Sequence, residues 1–174
     1  MQKLVIFDLD GCLVESKDLH FHSLNSALEK INKNLCISYE EHLAIYDGLN
    51  TTRKLELLGI TKGLEKKYYQ QIWEDKQIAT FELIKKFDVD EKLINIFKQI
   101  KSQNHKIAVA SNSIRETVKL FLLKLGVMEY VDYYVSNEDV KRTKPFPEMY
   151  WKCMTALNFV DRKSTRLNSS HVKR

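Results

Sequence analysis

The segment Lys3-Leu4-Val5-Ile6-Phe7-Asp8-Leu9-Asp10-Gly11 joins a short apolar run to two carboxylates spaced two apart. A continuous apolar run of this length, ending in acid, suits a central strand of a parallel sheet buried on both faces. Two more such runs follow, Lys106-Ile107-Ala108-Val109-Ala110 and Val131 to Val135. Between the first and second, residues 16–87 carry helical patterning only. Leu24, Ala27, Leu28 and Ile31 share one helical face, and Ser38 with Glu41 forms a capping box. Thr61-Lys62-Gly63 breaks the pattern before a long helix over Leu64–Ile84, anchored by Tyr68, Ile72, Trp73 and Phe81. Asp90 reads as an N-cap for a helix burying Leu93, Ile94, Phe97 and Ile100. Ser113 and Glu116 suggest another capping box, ahead of Val118, Phe121, Leu122 and Leu125. Pro147 suits the first position of a helix carrying Tyr150, Met154 and Leu157. Strands alternating with helices imply right-handed crossovers. The expected fold is therefore α/β: a Rossmann-like parallel core from residues 1–15 and 88–160, with a helical cap inserted at 16–87.

Composition narrows the function classes. The 174 residues are 44% hydrophobic, enough for a packed core. The N-terminal apolar run is cut by Asp8 and Asp10, so it is no secretory leader, and no stretch approaches the roughly 20 apolar residues of a membrane span. A soluble, cytoplasmic monomer is expected. Cys12, Cys36 and Cys153 have neither disulfide-framework nor zinc spacing. The net charge of +5 is concentrated at the end of the chain: residues 161–174 hold five basic residues and one acid, leaving 23 basic and 22 acidic residues elsewhere. A near-neutral body carries no electrostatic footprint for nucleic acid, and no membrane partner is expected either.

In open parallel α/β sheets, ligands bind beyond the carboxyl ends of the strands. Asp8-Leu9-Asp10-Gly11 follows the first strand, Ser111-Asn112-Ser113 the second, and Lys144-Pro145 lies past a loop after the third. Two carboxylates, a hydroxyl and an ammonium then converge. That set suits phosphoryl transfer: one carboxylate attacks phosphorus, a second acid protonates the leaving oxygen, and the hydroxyl and cation hold the phosphoryl oxygens. In a continuing strand Asp8 and Asp10 would face the same way. Ser111, placed before a capped helix, is also positioned to share that helix's anion-favouring end. In the insertion, Thr51, Thr52, Arg53 and Lys54 follow Gly48 and either face the crevice, meeting a distal phosphate or hydroxyls, or form a solvated helix start. His22, His42 and His105 show no ligand spacing and read as surface residues, while Tyr68, Tyr69 and Trp73 read as packing within the insertion.

Phe7-Asp8-Leu9-Asp10-Gly11-Cys12-Leu13-Val14-Glu15-Ser16 resembles the first motif of haloacid dehalogenase-type hydrolases. Ala110-Ser111-Asn112-Ser113 resembles the second, and Lys144-Pro145-Phe146-Pro147-Glu148 the third. The insertion resembles the small cap of the phosphoglycolate phosphatase and β-phosphoglucomutase branch. The resemblance implies that Asp8 is the nucleophile and a Mg²⁺ ligand. It implies that Asp10 is the general acid/base and lends the metal its backbone carbonyl. Ser111 and Lys144 would bind the transferring phosphoryl group. Asn112, Thr52, Arg53, Lys54 and His20 become candidate contacts for a small phosphorylated metabolite, His20 lying where this branch often has histidine near the cap hinge. An acid at Asp10 favours a phosphatase, or a phosphomutase using the same residues, over dehalogenation. The family's fourth motif, a strand ending in the acid that completes the Mg²⁺ site, has no counterpart after Phe159-Val160. Asp161 to His171 instead resembles a translated sequencing adapter, so residues 161–174 are expected to be a non-native tail and the C-terminal part of the core to be missing. Such a chain would bind Mg²⁺ poorly, expose a sheet edge and have little or no phosphatase activity. A catalytically inactive binding or regulatory domain is the remaining alternative.

Overall fold

The computed structural model of the chain describes residues 1–159. The reading of 161–174 as a tail lies outside the described residues. Three parallel strands stand in the order β1 (Leu4–Asp8), β2 (Lys106–Ala110), β3 (Tyr133–Val135). The register sets Asp8 beside Ala110 and Ala110 beside Val135, so the three strands end level with one another. Between β1 and β2 run α1 (Lys17–Glu29), a short α2 (Tyr39–Glu41) continued by a π-helical turn at His42–Tyr46, α3 (Thr51–Lys62), α4 (Tyr69–Ile84) and α5 (Glu91–Ser102). Helix α6 (Arg115–Lys124) joins β2 to β3, and α7 (Glu148–Ala156) follows β3.

Strand β2 shows why the sheet holds together. Its side chains alternate: Ile107 and Val109 enter one apolar cluster with Phe97, Val118, Phe121 and Leu122, while Ala108 and Ala110 enter another with Val135, Met149 and Cys153. Helices α5 and α6 cover the first face and α7 the second. Each fully buried Phe or Leu contributes about 1.5–3 kcal/mol. A third cluster lies within the insertion, where Leu24, Leu28, Tyr46, Leu55, Leu58 and Ile72 pack among α1, α3 and α4. Tyr68, Tyr69 and Trp73 flank that cluster as expected.

Several local expectations hold. Ser38 and Glu41 exchange both bonds of a capping box, Asp90 caps α5 through Leu93 N–H, and α3 stops at Gly63, whose φ of 69° is left-handed. Others do not. Strand β1 pairs only with β2 among the described residues, and all five of its side chains are half-buried, whereas β2 is the enclosed central strand. Ser113 does not cap α6. Its hydroxyl turns to Asp10, and Glu138, from the segment after β3, takes the Arg115 N–H instead. The strand ends at Asp8, so Asp8 and Asp10 are not successive same-face residues: Leu9 is buried and Asp10 lies in a turn that bridges back to Val14. His42 is fully buried, contrary to a surface assignment, because the π-helical turn packs it against Phe21 and Tyr39.

Candidate active site

The level strand ends bring Asp8, Ser111 and the Lys144 loop together. Lys144 Nζ lies 2.7 Å from Asp8 Oδ1 and donates a 2.7 Å bond to the Ala110 carbonyl at the end of β2. The ammonium is thus aimed at the first carboxylate by the backbone of the central strand. Asn112 holds this loop in place: its Oδ1 accepts from Lys144 N–H at 3.0 Å, and its Nδ2 donates to the Lys144 carbonyl at 3.4 Å. The same Nδ2 reaches the Gly48 carbonyl at 3.3 Å, tying the site to the loop before α3.

Asp10 sits in a separate cradle. Oδ1 accepts from Ser16 Oγ at 2.5 Å and meets His20 Nε2 at 3.0 Å. Oδ2 accepts from Ser111 Oγ at 3.1 Å and from Ser113 Oγ at 3.4 Å. Burial alone would raise the pKa of Asp10. The hydrogen bond and charge of His20, with the Ser16 and Ser111 hydroxyls, outweigh it and hold the carboxyl well below the usual carboxylate range. Burial pushes His20 the other way, down from its ordinary value, against the pull of Asp10. Ser111 is fully buried; its N–H donates to the Val135 carbonyl and its Oγ accepts from Ser113 N–H at 3.0 Å.

Four expected residues, Asp8, Asp10, Ser111 and Lys144, therefore share one site, joined by His20 and Asn112. The run 52–54 divides. Thr52 and Arg53 are exposed, and Arg53 pairs with Glu56 on its own helix at 2.8 Å. Lys54 is only 3% exposed and feels the charges of Asp47 and Asp10. The sequence assigned no contact in the site to Ser16 or Ser113, the latter read as a helix cap, and none to Lys76 or the buried His42. Lys76 had a legible signal: Ile72, Lys76, Thr80 and Ile84 recur at four-residue spacing, one buried stripe of α4.

A hard cation would find oxygen donors here in the Asp8 carboxylate and the Asp10 backbone carbonyl, the kind of set Mg²⁺ takes alongside several waters. Among the described residues, no group of three or more His, Cys, Asp or Glu side chains is arranged to enclose a metal ion. No described helix is long and apolar enough to cross a membrane.

The haloacid dehalogenase-like hydrolase family matches residues 5–165, nearly the whole chain. The chain belongs to that family and is by membership an enzyme of the hydrolase class. Among curated relatives, a phosphorylated carbohydrates phosphatase of Thermotoga maritima is 26% identical over 160 residues, covering 91% of this chain and 72% of the relative. A β-phosphoglucomutase of Bacillus subtilis is 29% identical over 166 residues, covering 91% and 70% respectively. The crystal structure of a β-phosphoglucomutase from Clostridium difficile superposes with a TM-score of 0.77 at 21% identity, covering 91% of this chain and 72% of that one. At that identity the superposition establishes the shared fold.

Proposed function

We propose that the chain is built to hydrolyse a small phosphate monoester through an aspartyl-phosphate on Asp8. The observation that carries this reading is the pair of carboxylates in unlike settings, one against an ammonium and one in a ring of hydroxyl and imidazole donors. Asp8 attacks phosphorus, forming an acyl-phosphate as the bond to the ester oxygen breaks. Lys144 and the Ser111 hydroxyl hold the phosphoryl oxygens through the transfer. Asp10 delivers a proton to the leaving alkoxide, then removes one from the water that cleaves the acyl-phosphate.

The cradle of Asp10 suits the second task better than the first while no phosphate is bound, since its contacts with His20, Ser16 and Ser111 stabilise its ionised form. An arriving phosphoryl group corrects this in two ways. It draws the Ser111 hydroxyl from Asp10 Oδ2 to itself, and its negative charge disfavours a second anion nearby. Both raise the Asp10 pKa when a proton donor is needed. Mg²⁺, held by Asp8 and the Asp10 carbonyl, would neutralise phosphoryl charge so that an anionic nucleophile can approach.

The helices over 16–87 serve as the cap and, with His20 and Asn112, shape the pocket for a small phosphorylated metabolite. A phosphomutase reading uses the same residues and is favoured by the likeness to the Bacillus subtilis mutase. A need for a bisphosphate activator, with poor transfer to water, would select it. For the main reading, Asp8→Asn should lower turnover of p-nitrophenyl phosphate at least about 10³-fold. It should also abolish hydroxylamine-sensitive labelling by radioactive phosphate. With a wild type whose turnover stands measurably above the uncatalysed rate, a variant that hydrolyses as fast rules out Asp8 as nucleophile.

A further inference from the structure

Asp8 and Ser111 are placed by the matched register of the strands, and Asp10 by the tight turn that follows β1. Lys144 has no such support. It lies on an irregular segment, residues 140–147, between a short 3₁₀ turn at Asn137–Asp139 and α7. Holding an irregular loop in one form costs conformational entropy, so the aim of its lysine depends on what closes the loop.

Asn112 fixes the loop at Lys144 itself. A second hold lies upstream, and the reaction above does not use it. Glu148, the first residue of α7, turns its carboxylate back over the loop. Oε1 accepts from the Lys141 N–H at 2.8 Å and Oε2 from the Arg142 N–H at 3.1 Å. The Arg142 guanidinium stands 3.7 Å from the same carboxylate and 5.0 Å over the Phe146 ring. Within the loop, Phe146 N–H donates to the Thr143 carbonyl at 3.0 Å. The carboxylate therefore ties residues 141 and 142 to residue 148, with Lys144 inside the closed loop. The Lys141 N–H, aided by the N–H and charge of Arg142, holds the Glu148 carboxyl below its ordinary value. In the same turn of α7, the Tyr150 ring lies 5.8 Å from Lys144 Nζ, so the helix end that grips the loop also lies against its ammonium.

Little stability is at stake in these bonds. Lys141 and Arg142 are exposed, and water can satisfy their N–H groups if the carboxylate is removed. Precision is at stake instead. Lys144 Nζ sits 2.7 Å from Asp8 Oδ1 and from the Ala110 carbonyl, and a small displacement of the loop would undo both contacts.

We propose that Glu148 is a positioning residue for Lys144: by tying the Lys141 and Arg142 N–H groups to the start of α7, it sets where the ammonium meets a phosphoryl oxygen. The proposal rests on the phosphatase reading, in which Lys144 holds that oxygen. Glu148 itself bonds to none of Asp8, Asp10, Ser111 or Lys144, so it reaches the reaction only through the loop.

Glu148→Ala removes both bonds, and Glu148→Gln leaves one acceptor oxygen for two N–H groups. The first measurement on the full chain is amide hydrogen exchange at Lys144, whose N–H is held by Asn112 and not by Glu148. Its protection should fall about fivefold or more in Glu148→Ala, and less in Glu148→Gln. A tie that served only its own ends would free Lys141 and Arg142 alone, so unchanged exchange at Lys144 overturns the proposal. The nearly isosteric Glu148→Gln keeps this test open if Glu148→Ala does not fold. The second measurement is calorimetric binding of orthophosphate. Glu148→Ala should weaken it about threefold to tenfold, yet leave it unchanged when Lys144 is already replaced in Lys144→Met. An equal loss in both backgrounds overturns the proposal, since the effect would not pass through the ammonium. A wild type that binds no orthophosphate counts against the phosphatase reading, and the exchange at Lys144 then decides the role of Glu148 by itself.

Discussion

The two walls of the crevice treat charge in opposite ways. On the sheet side, Asp8 has Lys144, and Asp10 has four donors. On the helical side, Lys54, Lys76 and His42 are more deeply buried but have no well-formed partner among the described residues. A buried charge is tolerated when it is paired and hydrogen-bonded, so the sheet wall is complete in itself. The helical wall lacks that compensation among the described residues.

The largest effect should come from damaging the complete wall. Asp10→Asn removes the proton carrier and should lower kcat by about 10²–10⁴-fold, read in steady-state phosphatase assays, with little change in KM. Next in size is a gain on the incomplete wall. The pKa of Lys76 is depressed in the fold, so the folded chain binds fewer protons than the unfolded one between about pH 7 and the ordinary lysine value of 10.5. Stability then rises with pH across that window, and the cost of the buried charge is greatest at or below its lower end. Lys76→Met should stabilise the chain at pH 6 by on the order of 3 kcal/mol, a margin that shrinks as denaturant titrations are repeated towards pH 10. A margin independent of pH would mean that packing, not charge, sets it.

His42 sharpens the same contrast in acid. Burial, assisted by Lys54, pushes it from an ordinary 6.5 down to about 4. Stability present above pH 6.5 should fall as the pH drops towards 4, by on the order of 2–3 kcal/mol. His42→Phe, whose ring suits the neighbours Phe21 and Tyr39, should lose that part of the slope in urea melts at pH 7 and pH 4.5. The smallest effect marks the boundary of the wall. Arg53→Ala breaks only an exposed pair with Glu56 and should change stability by less than about 0.5 kcal/mol.

The sheet wall was largely readable from sequence, and the helical wall was not. Asp8, Ser111 and Lys144 each follow a strand run, and parallel strands with matched register must bring their ends together. What spacing could not convey is where each side chain turns once the strand stops. Asp10 leaves the strand for a turn, and Ser113 abandons the helix cap because a carboxylate is nearer. An apolar run marks β1 as a packed strand but does not tell how many strands flank it. On the helical wall the signal was present but inverted. Lys54 lies one turn before buried Leu58, and Lys76 lies between Ile72 and Thr80 on a buried stripe. A lysine on an apolar stripe is ordinarily taken for a solvated residue at its margin, and only packing of α4 against both α1 and α6 shows that no margin exists there.

Asn112 links the two walls, and the strength of that link sets how they communicate. One carboxamide grips the loop carrying Lys144 and, through a 3.3 Å bond, the Gly48 carbonyl just ahead of the helix carrying Lys54. A single neutral hydrogen bond is worth about 1 kcal/mol net, a factor of about five in population. The contact is therefore a latch and not a lock. It holds the loop before α3 near the strand ends most of the time, yet it gives way within the thermal range, so that loop can part from the strand ends while Asn112 keeps its grip on the loop carrying Lys144.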